Sequence, residues 1–193
     1  LAAGTHVAEQ VLVVDKPLSF RSADGGTATI EFERTALFEI ADGGSLKLSN
    51  LKITGASSMD VAGNTVIRTS RYSMLNNYRL LIENVTVSDL DTNHSFNFFT
   101  VAKHTFADRI DIRGSVFSNI TGHVLQLDKE SDDLGLYNAE YISIVDSKFT
   151  DIEGSVASIY RGGTDESTFG PHFELRDSVL DSVGKGKRNK SGA

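Results

Sequence analysis

The sequence predicts an all-β chain wound as a right-handed parallel β-helix of about six coils. Three observations carry that prediction. First, a unit of strand, one-residue corner and strand recurs along the chain. Its corners are Asn50, Asn84, Gly114, Asp146 and Asp177, spaced 34, 30, 32 and 31 residues apart, and a near-constant period in this range marks a solenoid. Second, apolar residues inside each unit alternate with period 2, as in Ile142-Ser143-Ile144-Val145 and Phe149-Thr150-Asp151-Ile152, which is the signature of strands rather than helices. Third, the units are rich in Val, Ile, Thr, Phe, Ser and Asn, which suit pleated strands and their turns. About 30 residues with two or three short strands is one turn of a β-helix. A propeller blade would need four strands and tight hairpins, and neither is visible.

In chain order, Val11 to Phe20 forms a first, irregular coil, with Pro17 at a strand start where its missing N–H matters least. Asp24-Gly25-Gly26 and Asp42-Gly43-Gly44 are turns around the strands Thr29–Phe32 and Leu37–Ile40. The five units follow. Each corner residue is Asn, Gly or Asp, the types that tolerate a left-handed backbone. The last four units are each preceded by a further strand: Thr65–Arg68, Phe98–Val101, Val124–Leu127 and Val156–Ile159. Loops of variable length separate these strands from the corners, the longer ones running from Lys129 to Tyr141 and from Arg161 to His172. Such insertions on one side of a solenoid commonly form its binding face.

The chain has 193 residues, 39% hydrophobic and 23% charged, enough for one domain with a long core. It has no Cys, so no disulfide staples it, and no apolar run long enough to span a membrane. A net charge of −7 argues against nucleic acid as a partner, while leaving room for a local basic groove. We read residues 1–193 as a single domain and as a fragment of a longer two-β-helix chain whose caps lie elsewhere, because solenoids need capped ends. An open end invites pairing, so a homodimer is among the expected partners.

The residue that closes each early strand points to chemistry. Lys129 follows Ile120 at the distance at which Arg161 follows Ile152, and the same place falls on Lys103, beside His104, and on Arg71, near Arg68. Stacked turns would set such residues about 4.8 Å apart. Arg71, Lys103, Lys129 and Arg161 are therefore expected to form a cationic ladder that an anionic ligand would neutralise, unless Asp128, Glu130 and Asp165 do so internally or the charges are simply solvated. Tyr72, His104, Tyr137 and Tyr160 lie in the same stretches as candidates for stacking on sugar rings. In the loop Arg161-Gly162-Gly163-Thr164-Asp165-Glu166, the acids are read as partners of Arg161 rather than metal ligands. His94, His104, His123 and His172 show no metal spacing, no G-x-S-x-G elbow supports a hydrolase triad, and the sequon asparagines Asn84 and Asn119 are read as turn residues.

Two stretches carry a family resemblance. Tyr160-Arg161-Gly162-Gly163-Thr164-Asp165-Glu166-Ser167-Thr168-Phe169-Gly170-Pro171, followed by Phe173-Glu174-Leu175-Arg176-Asp177-Ser178, resembles the last coils of polysaccharide lyase family 6, the family of alginate lyases and chondroitinase B. Asn84-Val85-Thr86-Val87 and Asp146-Ser147-Lys148-Phe149 look like its N-x-F coil motif. The resemblance runs from about Val11 to Val183 and is to the C-terminal of two tandem β-helices. It implies a secreted or periplasmic bacterial protein and an anionic polysaccharide, alginate first, cleaved by β-elimination. It also implies that the catalytic Lys, the catalytic Arg and a calcium site belong to the N-terminal β-helix of the same parent chain. This segment is then expected to hold no cofactor of its own and no catalytic residue. Lys129 and Arg161, on successive turns, are the one pair that echoes a Lys/Arg couple. Arg71, Lys103, His104, Lys129, Tyr160 and Arg161 are the expected substrate contacts. The alternative is a non-catalytic carbohydrate-binding or adhesin-type β-helix.

Overall fold

The computed structural model describes residues 1–72, 74–129, 137–160 and 170–186. After a lone strand β1 (Gly4–Ala8), strands come in triads. These are β2 (Leu12–Val14), β3 (Pro17–Arg21) and β4 (Ala28–Phe32); then β5 (Ala36–Ile40), β6 (Ser45–Ser49) and β7 (Leu51–Thr54). Next are β8 (Thr65–Thr69), β9 (Tyr78–Glu83) and β10 (Thr86–Leu90); then β11 (Asn97–Thr100), β12 (Ala107–Arg113) and β13 (Val116–Ile120). The last two are β14 (Leu125–Leu127), β15 (Ala139–Val145) and β16 (Lys148–Ile152), and β17 (Ala157–Ile159), β18 (His172–Arg176) and β19 (Val179–Val183). No helix occurs among the described residues.

Like members of successive triads stack in parallel. The first sheet runs β2 to β17 with six strands, the second β3 to β18 with six, and the third β1 to β19 with seven. This is a right-handed parallel β-helix, the hand that parallel crossovers take because strands themselves twist that way. Six strands in a sheet are joined by five full turns, slightly fewer than the six coils expected. Two boundaries also shift. Gly4–Ala8, ahead of the first coil assigned from the sequence, is a strand paired with β4, and the loop after Lys129 ends earlier than Tyr141, since β15 begins at Ala139.

The corners explain the period. Asn50, Asn84, Gly114, Asp146 and Asp177 all have φ between 51 and 56°, the left-handed region that costs other residues about 1–2 kcal/mol. A second left-handed column, Asp89, Asn119, Asp151 and Ser182 (φ 54–58°), sits in the third sheet. Just past the first column a serine relay links the turns. Ser115 Oγ donates to Arg113 O (2.9 Å) and accepts from Val85 N–H (3.1 Å). Ser147 repeats this with Val145 O (2.9 Å) and Ser115 N–H (3.2 Å), and Ser178 with Arg176 O and Ser147 N–H. Each hydroxyl thus satisfies one main-chain carbonyl of its own turn and one amide of the turn before.

The core is a continuous column of buried side chains. Because Phe117 and Phe149 are register partners, their rings stack at 5.2 Å and 11°, and Phe98 meets Phe117 edge-on at 5.0 Å. This packing makes the sheets rigid platforms for what they carry outside.

Candidate functional site

The outer face of the first sheet carries the polar residues. Glu39, Arg68, Thr100, Gln126 and Ser158 are register partners on consecutive turns. Three residues beyond each stands Asp42, Arg71, Lys103, Lys129 and Arg161 in turn. The structure therefore brings Arg71, Lys103 and Lys129 to one edge of the solenoid at equivalent positions, ending in the acid Asp42. Arg161 lies outside the described residues, as do Glu130, Asp165 and Glu166.

The edge residues differ in their surroundings. Arg71 is exposed and makes no ion pair among the described residues. Lys129 Nζ stands 3.5 Å from Asp128 Oδ1, so part of the expected self-neutralisation is present. Such a half-exposed pair is worth at most about 1 kcal/mol. Asp42 accepts hydrogen bonds from Leu75 N–H (2.9 Å) and Asn76 N–H (2.8 Å). The Asn76 amide, most of all, holds its carboxyl below the usual carboxylate range, and the bonds tie down the loop after Arg71. His104 is exposed, at φ 58°, and its carbonyl accepts from Met74 N–H (3.3 Å). Tyr160 is 38% exposed and its amide donates to Leu127 O (3.1 Å). Tyr72 is 83% exposed. Tyr137 is not free for stacking: its ring leans on Phe106 at 5.5 Å and its hydroxyl donates to Glu140 (3.2 Å).

Beneath the edge lies a buried polar net that sequence reasoning missed. Thr69 Oγ1 accepts from Ala102 N–H (2.7 Å), while Thr105 Oγ1 donates to Ala102 O (2.8 Å). Asn138, 1% exposed, accepts from Lys129 N–H (3.2 Å) and donates to Thr105 O (3.2 Å). These bonds fix the main chain at the two lysines. No local pattern announces the net, because the bonds that join one turn to the next, Thr69 with Ala102 and Asn138 with Thr105, link residues 33 apart.

The other flank of the first sheet is a cleft of about 440 Å³ whose lining includes His94, Asn97, His123, Gln126, Asp128 and Glu153. Glycines shape its wall. A Cβ on Gly154 would stand 2.3 Å from Gly122 O, so successive turns touch backbone to backbone there. His123 is half-buried with Nδ1 2.8 Å from Ser155 Oγ, and burial lowers its pKa from the ordinary imidazole value. Among the described residues no group of three or more His, Asp and Glu is placed to hold a metal ion. The described residues do not fit a calcium cage. No described helix is long and apolar enough to cross a membrane.

Fold and edge together define a right-handed parallel β-helix with a polar face bounded by basic strand ends. Solved structures say which kind. The chain superposes on the PL6 family alginate lyase AlyGC with a TM-score of 0.94 and 46% identity, covering 100% of this chain and 26% of that one. An arginine-to-alanine mutant of AlyGC matches over the same shares at a TM-score of 0.95 and 46% identity. The chain thus resembles a member of polysaccharide lyase family 6 over its whole length and spans about a quarter of the length of that enzyme. No family model matches it, and no curated protein does.

Proposed function

We propose that this chain is the C-terminal β-helix of a secreted or periplasmic alginate lyase. In this reading it supports a catalytic β-helix of the same parent chain and extends that half's groove for a polyuronate. β-Elimination needs a base for the C5 proton, an acid for the leaving oxygen and a cation on the carboxylate. Lys129 is engaged by Asp128, which supports a binding role for it over proton abstraction. The observation that carries the reading is the register: Arg71, Lys103 and Lys129 fall three residues after partnered positions Arg68, Thr100 and Gln126, in a chain 46% identical to AlyGC. A polymer with one carboxylate per sugar suits such a row.

The test is calorimetric titration of the chain with alginate oligosaccharides, alongside an assay for the absorbance of unsaturated product. Binding without product is expected. Arg71→Glu combined with Lys129→Glu should weaken affinity about tenfold or more, at roughly 1 kcal/mol for each of the two charge pairs lost near water, with melting temperature unchanged. Product formation would overturn the accessory role, and unchanged affinity would overturn the edge as a contact.

A further inference from the structure

Two backbone amides fix the hydrogen-bond sense of the cleft. His123 N–H can only donate, and it donates to Asn97 Oδ1 (2.7 Å). The other end of Asn97, Nδ2, therefore donates to Gln126 Oε1 (2.9 Å) and Thr100 Oγ1 (3.1 Å). Gln126 is left with its Nε2 hydrogens, which have no partner among the described residues. Likewise Ser155 N–H donates to His123 Nδ1 (3.0 Å), so the neutral ring carries its proton on Nε2, again without a described partner. The cleft thus offers N–H donors from Gln126 and His123 together with the carboxylate of Glu153 as acceptor, and the charge of Asp128 lies beside them.

Asp128 stands where cleft and edge meet. Its Oδ2 accepts from Ser158 Oγ (3.0 Å). Its Oδ1 is buried and receives no hydrogen bond among the described residues, and the Lys129 ammonium stands 3.5 Å from it. A sugar diol both donates and accepts and so matches this mixed lining. A sugar carboxylate only accepts, and it would face two like charges.

We propose that the cleft is a hydroxyl-reading sugar subsite continuous with the basic edge, and that Asp128 divides the two, holding a uronate carboxylate on the side of Lys129. The inference rests on the polyuronate reading above and adds the orientation of the sugar. Asp128 also competes internally with the ligand carboxylate for Lys129, so affinity is held below what the edge alone would give.

Titrations with tetramannuronate and with neutral β-1,4-mannotetraose separate the parts. Asp128→Asn should bind tetramannuronate about fourfold more tightly at low salt, the gain shrinking as salt rises, and should bind mannotetraose as wild type does. Gln126→Ala should weaken both probes severalfold. If Asp128→Asn fails to fold, Asp128→Ser removes the same charge and must show the same gain. A stably folded Asp128 variant with no gain overturns the inference while leaving the edge reading intact. So does a wild-type chain that binds tetramannuronate but not mannotetraose. Failure of every form to bind tetramannuronate overturns the edge reading and the inference together.

Discussion

Replacing Tyr78 by Phe should make this protein more stable. Tyr78 is fully buried in β9, its ring edge-on to Phe99 at 6.2 Å, and its hydroxyl has no hydrogen-bond partner among the described residues. An unsatisfied buried hydroxyl costs about 1–3 kcal/mol. Phe keeps the ring and its contacts and loses one atom, and the main-chain bond from Tyr78 N–H to Phe106 O (3.1 Å) is untouched. For a chain of this size, about 2 kcal/mol corresponds to roughly 4–8 °C in melting temperature. Alkaline pH adds a second readout. Burial raises the Tyr78 pKa far above the ordinary phenol value of 10.0, so the unfolded chain loses this proton first. The stability tied to keeping Tyr78 neutral is intact below that ordinary value and drains as pH rises through and beyond it. Tyr78→Phe should therefore gain most over wild type in alkaline melts. A variant less stable than wild type at neutral pH would refute the reasoning, because it would mean the hydroxyl has a partner.

Three other perturbations follow from the same geometry. Gly154→Ala drives a Cβ to 2.3 Å from Gly122 O and 3.0 Å from His123 N; since backbone cannot step aside, a loss of about 2–3 kcal/mol is expected in urea unfolding. Ser147→Ala strips the buried Ser115 N–H of its acceptor and Val145 O of its donor, and should cost about 1–3 kcal/mol by the same measurement. Burial depresses the pKa of His123 below 6.5, so its contribution is fully present above that pH and is lost as pH falls toward the folded value. A melting series from pH 7 to pH 5 should decline less steeply for His123→Gln than for wild type.

The solenoid was legible in the sequence because its causes are local. Period-2 alternation fixes which side chains face the core, and a residue that tolerates φ near 50° must close each corner. Asn50, Asn84, Gly114, Asp146 and Asp177 could therefore be picked out by type and spacing alone. The edge positions Arg71, Lys103 and Lys129 were also legible, since a regular period makes counting along the chain equivalent to moving up the stack. Other features were not. The second left-handed column through Asp89, Asn119, Asp151 and Ser182 lies inside strands, so apart from Asn119, read as a turn residue, nothing in the alternation marks it. Asn138 and the serine relay bond to groups roughly 30 residues away, and only the folded register decides which turn they serve. The sequence by itself determined the coil, its period and the placing of basic residues at strand ends. Only the tertiary structure decided which way Asn97, Gln126 and His123 turn their polar atoms, because amides from neighbouring turns set that sense.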